Sequence, residues 1–195
     1  TAVLTASGDS TVRAGGDLAV SGSTQGLSTT TTDDGTTSFG ATTIGGGLSA
    51  TSAGAISQTG ALTVSGAATL DGGANAVTLD NAANDFQSTV NVAGSDVALN
   101  DTDDLVLGNV TATGNFAATA ATDLGLNGAV SVDSLDLEAT GGAISQGADG
   151  TLTVATGPSN LEAGTSITLD KANDFNGPVN AAGSDVALAD GTGGL

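Results

Sequence analysis

The chain has 195 residues, with 21 acidic side chains against two basic ones, Arg13 and Lys171, and its net charge at pH 7 is −19. An acidic surface of this kind repels nucleic acid phosphates and anionic lipids, so we expect no nucleic acid partner. The sequence contains no Cys, which excludes disulfides and thiolate metal sites. No stretch approaches the roughly 18 apolar residues of a membrane-spanning helix, so we expect no membrane insertion.

The low aromatic content makes intrinsic disorder one interpretation, since 2% of the residues are aromatic and 31 are Gly. Against it, 38% of the residues are hydrophobic, and most of these are Val, Leu, Ile and Ala in short alternating runs. Disordered segments lack such regular apolar alternation, so the pattern predicts an ordered chain.

Most apolar residues form i, i+2 pairs, which is the spacing of a strand with one buried face. In chain order the predicted strands contain Leu62/Val64, Val77/Leu79, Val90/Val92, Val97/Leu99, Leu105/Leu107, Leu124/Leu126, Val130/Val132, Leu135/Leu137, Leu152/Val154, Ile167/Leu169 and Val186/Leu188. Gly, Asn, Asp and Ser, which favour turns, lie between the pairs. Sustained i, i+3, i+4 spacing is missing from the sequence, so we predict an all-β chain with strands of about three to five residues.

The sequence repeats itself after 88 to 90 residues. Three segments recur in order: GAISQ at 54–58 and 142–146, ANDF at 83–86 and 172–175, and AGSDVAL at 93–99 and 182–188. A long repeat with a drifting offset is typical of stacked units that tolerate small loop insertions. An array of such units more often builds length than performs chemistry.

Two architectures fit short strands at this spacing, a sandwich and a solenoid. The four Phe residues do not supply the aromatic core of a two-sheet sandwich. In a β-solenoid each short strand pairs with its equivalent one coil away, and the narrow core needs only one or two small aliphatic side chains per strand. We therefore predict a right-handed parallel β-helix of roughly nine coils, each of about 22 residues with three short strands.

The repeat also predicts which side chains fill the core. We expect Phe86 and Phe175, at the same repeat position, to occupy a wider corner of the interior. Four aliphatic side chains of the recurring AGSDVAL segment are expected to point inward: Val97, Leu99, Val186 and Leu188.

The domain organisation follows from the same repeat. We expect residues 1–195 to be one continuous solenoid segment, with internal repeats at about 1–53 (partial), 54–141 and 142–195 (partial). The chain starts without Met or a signal peptide and stops within a unit, so we interpret it as a segment of a longer array. Neither end resembles a cap, and we expect neighbouring coils or a second copy to cover both ends.

Four segments carry a resemblance to a known family: ALTVSG at 61–66, DLVLG at 104–108, ITLD at 167–170 and ANDF at 172–175. They resemble the tandem β-strand repeats of very large bacterial surface proteins of the filamentous-haemagglutinin type. The resemblance covers nearly the whole chain from Gly16 onward, although residues 25–40 match poorly. It implies a right-handed parallel β-helix, export by two-partner secretion, an extracellular or cell-surface location, and a part in attachment or biofilm cohesion. Because the family's secretion domain and binding heads lie outside these segments, it assigns no functional residue.

Two acidic clusters, at 33–34 and at 101–104 (DTDD), are candidate calcium ligands because Ca²⁺ prefers closely spaced oxygen ligands. The glycine-rich nonapeptides of calcium-binding β-rolls are missing. In the second copy the cluster becomes DGTGG at 190–194, which loses two carboxylates. We therefore interpret these clusters as solvated turns and assign no metal-binding residue, although calcium binding stays open.

The sequence lacks the usual groups of an active site. It has no His or Cys to act as a base or nucleophile, and its basic side chains are Arg13 and Lys171. Solenoid polysaccharide lyases and hydrolases use carboxylates with Arg or Lys, but a catalytic cleft would interrupt the repeat. We predict that the chain is not an enzyme, with no catalytic or cofactor-binding residue and no cofactor.

Thr-rich stretches at 29–32 and 36–37 make ice binding a further hypothesis, because ice binding needs a flat and regular array of Thr on one face. The Thr positions do not recur at a fixed spacing in the sequence, which argues against it. Asn100 and Asn109 match the glycosylation acceptor pattern, and chance matches are expected in a Thr-rich chain.

The functional hypothesis is a structural stalk or spacer of a secreted bacterial adhesin, which supports attachment or cell–cell cohesion in biofilm. The alternatives are a carbohydrate- or surface-binding face on the solenoid itself, and an ice-binding solenoid. The expected partners are adjacent repeats of the same chain, and exopolysaccharide or other cells' surfaces through regions outside this segment. The absence of Tyr and Trp, the residues that stack on sugars, favours the stalk.

Overall fold

The computed structural model describes residues 1–191, which form strands and turns without a helix. The strands of these residues are β1 (Ala2–Thr5), β2 (Ser10–Ala14), β3 (Leu18–Thr24), β4 (Leu27–Thr31), β5 (Thr37–Ile44), β6 (Leu48–Thr51), β7 (Ile56–Gln58), β8 (Leu62–Val64), β9 (Ala68–Asp71), β10 (Val77–Leu79), β11 (Asp85–Phe86), β12 (Val90–Gly94), β13 (Val97–Asp101), β14 (Leu105–Ala120), β15 (Leu124–Leu126), β16 (Ala129–Ala139), β17 (Ile144–Gln146), β18 (Thr151–Val154), β19 (Ser159–Ala163), β20 (Ser166–Phe175), β21 (Val179–Ala182) and β22 (Asp185–Asp190). No helix that could span a bilayer is found in this part of the chain.

Almost every strand pairs in parallel with the strand one coil further along; within residues 1–191 the exceptions are β11 and the strands of the last coil. One column of register partners, for example, runs from Leu27 in β4 through Leu48 in β6 and Ala68 in β9 to Val90 in β12. Parallel neighbours need a long connection, and here the remainder of the coil supplies it. The chain is therefore a parallel β-solenoid of about nine turns, which confirms the predicted fold class.

The strands form three faces, as the predicted three strands per coil require. The first face contains the starts of β3 and β5, then β7, β10, β13, the ends of β14 and β16, β19 and β21. The second contains β1, the ends of β3 and β5, β8, β11, the start of β14, β15, β17, the start of β20 and β22. The third contains β2, β4, β6, β9, β12, the middle of β14, the start of β16, β18 and the end of β20.

Coil length varies more than the sequence suggested. The register steps from Ser10 to Leu27 in a short coil near the start of the chain, and from Leu135 to Ser159 in a longer coil near its end. Several strands also exceed the predicted length, and β14 has 16 residues. The reason is that some corners stay extended and keep parallel partners, so one strand continues around the corner onto the next face.

The long sequence repeat does not return to the same face. Ile56 of β7 lies on the first face, whereas Ile144 of β17, at the same repeat position, lies on the second. From β7 to β17 the chain passes thirteen strand positions, with β14 counted on three faces and β16 on two. One repeat unit is therefore four coils and one further face, and equivalent residues are rotated by about a third of a turn.

One continuous core runs inside the three faces. Its largest fully buried side chains are Phe39, Phe86, Phe116, Ile44, Leu48, Ile56, Leu62, Leu70, Leu79, Leu105, Leu107 and Leu124. Phe175 is 4% exposed, so both repeat-equivalent Phe side chains are in the core as expected. Because most strands between β3 and β20 bury every second residue, the i, i+2 aliphatic pairs supply the hydrophobic free energy of the fold.

The four side chains of the AGSDVAL segments that were predicted to point inward differ in how deeply they are buried. Val97 and Leu99 are 1% and 2% exposed, which confirms them. Val186 is the register partner of the fully buried Ile167 and so has the predicted inward position, but its side chain is 46% exposed. Val186 lies on the last described coil, and no further described coil packs over it. Leu188 is partly buried against the core.

Residues 25–40, the segment that matched the resemblance poorly, are part of the same solenoid. Their inward positions on β4 are Leu27 and then Thr29 and Thr31, so hydroxyl groups replace aliphatic groups in this part of the core. Thr31 Oγ1 donates a hydrogen bond to the carbonyl oxygen of Gly35 (2.6 Å) and is 2.9 Å from Ser52 Oγ. The Thr31 hydroxyl is therefore satisfied inside the core, whereas Thr29 Oγ1 is buried without a hydrogen-bond partner among the described residues, and the fold does not change.

Candidate functional site

Two recurring segments of the repeat, GAISQ and ANDF, meet in adjacent coils. Gln58 Nε2 donates to Asn84 Oδ1 (2.8 Å), and Asn84 Nδ2 donates to Gln58 Oε1 (2.9 Å). Asn84 Nδ2 also donates to the carbonyl oxygen of Leu79 (3.0 Å), and Asn84 Oδ1 accepts the N–H of Leu62 (2.9 Å). The fully buried Asn84 side chain thus uses both donors and both acceptor positions, which a buried amide requires.

The second copy has the same pair. Gln146 Nε2 donates to Asn173 Oδ1 (2.6 Å), and Asn173 Nδ2 donates to Gln146 Oε1 (3.1 Å) and to the carbonyl oxygen of Leu169 (2.9 Å). Since the two pairs lie on different faces, the contact belongs to the repeat unit and not to one side of the rod. In both copies the contact joins the Gln side chain to the segment that precedes Phe86 or Phe175 in the adjacent coil.

Next to Asn84, three carboxylates from two coils lie together. Asp85, Asp101 and Asp103 each contribute an oxygen atom, and these atoms are within 4.8 Å of one another. Asp101, at the end of β13, is 1% exposed. Its Oδ2 accepts the N–H of Phe86 (3.0 Å), and its Oδ1 accepts the N–H of Asp103 (3.1 Å). The Asp101 side chain therefore bonds to the backbone of β11 from the following coil.

The pKa of Asp101 is raised to about 7, and burial is the largest cause. Hydrogen bonds from the backbone N–H groups of Asp103 and Phe86 act in the lowering direction, whereas the side chain and the negative charge of Asp103 act in the raising direction. The two basic side chains of the chain are elsewhere. Lys171 pairs with Asp170 at 3.0 Å, and Arg13 is on β2, several coils away. A negative charge on Asp101 consequently has no basic side chain beside it.

One buried oxygen of the cluster has no hydrogen-bond donor among the described residues. Asp85 Oδ2 accepts Gln87 Nε2 (2.9 Å), but Asp85 Oδ1 is buried, and no donor in the described part of the chain reaches it. A surface depression of about 320 Å³, lined by Phe86, Gln87, Asp103, Asp104 and Val106, lies beside the cluster and opens it to solvent.

The structure divides the acidic segment 101–104 between two roles. Asp101 and Asp103 join the cluster, whereas Asp104 Oδ1 accepts the Thr122 hydroxyl and the N–H of Asp123 (3.0 Å) in the next coil. These two hydrogen bonds, first the Thr122 hydroxyl and then the Asp123 N–H, lower the pKa of Asp104. Asp104 therefore acts as a cap between coils.

The second acidic segment, at 33–34, is not part of such a cluster. Asp33 and Asp34 have φ angles of 50° and 59° and form an exposed turn. In the second repeat copy, Asp190 Oδ1 accepts the N–H of Phe175 (3.3 Å), as Asp101 does for Phe86. The copy of Asp103 is Thr192, which lies outside the described residues.

Sequence reasoning missed Asp85 as a member of the cluster. Asp85 lies on β11 and Asp101 at the end of β13, and only the stacking of coils brings the two carboxylates together. The available signal was that Asp85 belongs to the recurring ANDF segment while Asp101 closely follows the recurring AGSDVAL segment.

Several other acidic residues cap the turn of the following coil. Asp17 Oδ1 accepts the N–H and the hydroxyl of Thr36 (2.9 Å each), and these bonds lower the pKa of Asp17. Asp123 Oδ1 likewise accepts the N–H of Ala143 (2.7 Å). Part of the negative charge therefore satisfies backbone donors at the corners, in addition to solvating the surface.

The two glycosylation acceptors lie in different environments. Asn100 is half-buried on β13. Asn109 is exposed, and its Oδ1 accepts the N–H of Ala129 (3.1 Å) in the next coil. Asn109 is thus already used as a corner cap.

Comparison with known proteins gives one family. The model of repeats of unknown function (DUF5649) matches residues 24–93, 94–134 and 121–182, which together are more than half of the chain. The chain belongs to the DUF5649 repeat family. No curated protein and no solved structure matches it. Membership of DUF5649 agrees with the internal repetition of the sequence, and the coils described above show how these repeats fold.

Proposed function

We propose that this chain is a stalk segment of a secreted bacterial adhesin, a spacer that holds a binding region away from the cell. The observation that carries the proposal is the continuous core, which runs through all the described coils as one cluster. Parallel ladders on three faces resist bending in every direction. At about 4.8 Å between paired strands, nine coils extend the rod by about 40 Å.

The rotation of the repeat also supports a spacer. A site carried once per unit would face a new direction in each copy, because equivalent residues are a third of a turn apart. Residues that mediate attachment along one side of a rod would be expected to return to the same face. The elements that recur include the fully buried Asn84 and its half-buried partner Gln58, whose side chains bond to each other.

The resemblance to filamentous-haemagglutinin-type repeats supports the setting of the proposal. On this basis we place the protein outside the bacterial cell or on its surface, with export by two-partner secretion. Its partners are adjacent repeats of the same chain, while exopolysaccharide or other cells are bound through regions outside this segment. We propose no enzymatic activity, since the sequence lacks His and Cys and has two basic side chains.

The test is replacement of the segment in the full-length protein that carries it. One strain receives an unrelated β-solenoid of similar length, and another has the segment deleted, with surface display measured in both. If the segment is a spacer, we expect the replacement strain to attach as well as the wild type, because only the length of the segment matters. Loss of attachment in the replacement strain, at equal surface display, contradicts the spacer and indicates that this chain itself binds.

A second candidate, a binding face, is supported by the outer surface of the third face. Ser28, Ser49 and Thr69 are register partners in successive coils, and Thr30 is the partner of Thr51. The sequence argument against such an array was that Thr does not recur at fixed spacing. In favour of the alternative, the stacked coils bring hydroxyl groups that belong to Ser as well as Thr into register.

The hydroxyl columns are interrupted, since Thr69 is followed by Asn91 and Thr51 by Asp71. Binding of the isolated chain to polysaccharide, and thermal hysteresis for the ice-binding alternative, test this face directly. Substitution of Ser49 and Thr69 by Lys should abolish either activity if the face is responsible, and a binding signal that survives the substitutions would exclude it.

A further inference from the structure

We propose that Asp85, Asp101 and Asp103 bind one divalent cation with the ligand preference of Ca²⁺. The three carboxylates belong to two successive coils, and their oxygen atoms lie within 4.8 Å of one another. This inference does not depend on the proposed stalk function, because the same cation would stabilise the solenoid in any role.

The charge of the cluster is the first reason. Asp101 is 1% exposed, and its closest ionisable neighbours, Asp85 and Asp103, are also acidic. Neither basic side chain of the protein is near, since Lys171 pairs with Asp170 and Arg13 lies on β2. A buried carboxylate without a cationic partner is unfavourable, and it is stabilised either by a proton or by a bound cation.

The second and independent reason is the unpartnered oxygen. Asp85 Oδ1 is buried and accepts no hydrogen bond from the described residues, although the other oxygen of the same carboxylate accepts Gln87 Nε2. Buried polar atoms in proteins nearly always have a partner, so such an atom needs one from outside the chain. A cation beside this oxygen would satisfy it.

The ligand set favours calcium over other cations. All three side chains offer oxygen, which suits Ca²⁺ and Mg²⁺ and does not suit Zn²⁺, for which His and Cys are the common ligands. Asp103 is exposed at the edge of the surface depression, so water can complete the coordination. Ca²⁺ accepts irregular sets of six to eight oxygen ligands, whereas Mg²⁺ demands near-octahedral geometry.

The position of the cluster gives the cation a structural effect. The short strand β11 pairs with β8, and no strand pairing is described between β11 and the following coil. On the side of β11 that faces the following coil, the Asp101 carboxylate accepts the N–H of Phe86, a position that a neighbouring strand would take in a continuous ladder. A cation held by Asp85 and by Asp101 would connect the two coils where the ladder is interrupted.

The experiment is a calcium titration of chelator-treated protein at about pH 7.5, in which calorimetry measures binding and the melting temperature measures stability. Calcium is added up to about 10 mM, because the weakest extracellular calcium sites have millimolar Kd values. Asp85→Asn and Asp103→Asn each remove a ligand charge at a position with access to solvent. Asp136→Asn is the matched control, because Asp136 is exposed on β16, outside the cluster, and the variant has the same net charge.

We expect one calcium ion per chain and a rise in melting temperature for the wild type and for Asp136→Asn. Asp85→Asn and Asp103→Asn should each weaken binding by about tenfold or more, as the loss of a charged ligand lowers calcium affinity. The absence of binding in the wild type, or binding of equal strength in all four proteins, would overturn the proposal. If Asp85→Asn or Asp103→Asn does not fold, the carboxyl chemical shifts of the wild-type protein are followed by NMR as calcium is added. Changes at Asp85, Asp101 and Asp103 support the site, and changes confined to other carboxyl groups contradict it.

Discussion

Gln58 and Asn84 are distant in the sequence and exchange two side-chain hydrogen bonds, of 2.8 and 2.9 Å, between adjacent coils. The same relationship joins Gln146 and Asn173. The most recognisable segments of the repeat therefore recur together because they form one contact. The similar spacing between GAISQ and ANDF within each unit has a structural cause.

This contact predicts a large cost for Asn84→Ala. The change leaves the N–H of Leu62 and the carbonyl oxygen of Leu79 without their side-chain partner inside the core. We expect the free energy of unfolding to fall by about 2–4 kcal/mol in denaturant titration, as for loss of a buried polar network. The control is Asn160→Ala, which removes an exposed amide bonded to Asn180. A cost in the control as large as that of Asn84→Ala would show that burial of the contact is unimportant.

Val97 and Val186 provide a matched pair, because they occupy the same repeat position but are 1% and 46% exposed. Val97→Ala should reduce the free energy of unfolding by about 2 kcal/mol, from lost burial and the cavity left behind. Val186→Ala should cost less than about 0.5 kcal/mol, as do most changes at exposed positions. Equal losses, measured by urea unfolding of both variants, would show that the last coil is covered in solution.

The raised pKa of Asp101 predicts a pH dependence. Because its pKa is about 7 in the folded state against 3.8 when unfolded, the folded protein binds more protons between these values. Stability contributed by this group is thus present below about pH 4 and is lost as the pH rises towards 7, by about 1–2 kcal/mol after allowance for solvent screening. Carboxyl NMR of metal-free protein should show one Asp with a midpoint near neutrality, and its disappearance in Asp101→Asn assigns it.

Asp17 and Asp104 have the opposite dependence. Their pKa values are lowered in the folded state by hydrogen bonds from Thr36 and from Thr122 and Asp123. The stability that they contribute is present above the unfolded value of 3.8 and is lost as the pH falls through their folded pKa. Thermal unfolding from about pH 2 to pH 8 should therefore pass through a maximum in weakly acidic solution. A melting temperature that rises steadily to pH 8 in chelator would contradict the assignment for Asp101.

The outermost coils of the isolated chain should exchange amide hydrogens faster than the centre. Val3 on β1 is 75% exposed, and β1 has a strand partner on one side only, β3. We expect amides of β1 and β22 to exchange much faster than those of β10 and β13. Light scattering should also show more self-association at high salt, which screens the charge of −19. A monomer at every salt concentration with uniformly protected amides would contradict both expectations.

The alternating aliphatic pairs and the turn residues between them were sufficient to predict parallel coils and three strands per coil. Leu105/Leu107 and Leu124/Leu126 are an example. Each pair defines the buried side of one strand in the sequence, and in the structure the two strands are neighbours on the second face. The same pattern could not predict that β14 continues for 16 residues, since an extended corner and a tight one contain the same small polar residues. Nor could it predict the exposure of Val186, which depends on what packs above it.

The periodicity of this protein is already present in its amino-acid sequence, because the identity of an inward side chain depends on a local alternation along the strand. Which residues become neighbours across coils depends on the folded chain instead. The step from Ser10 to Leu27 is shorter than the step from Leu135 to Ser159, and the length of each step depends on corner conformations that no local pattern specifies. For this reason Asp85 meets Asp101, and one repeat unit ends a third of a turn from where it began.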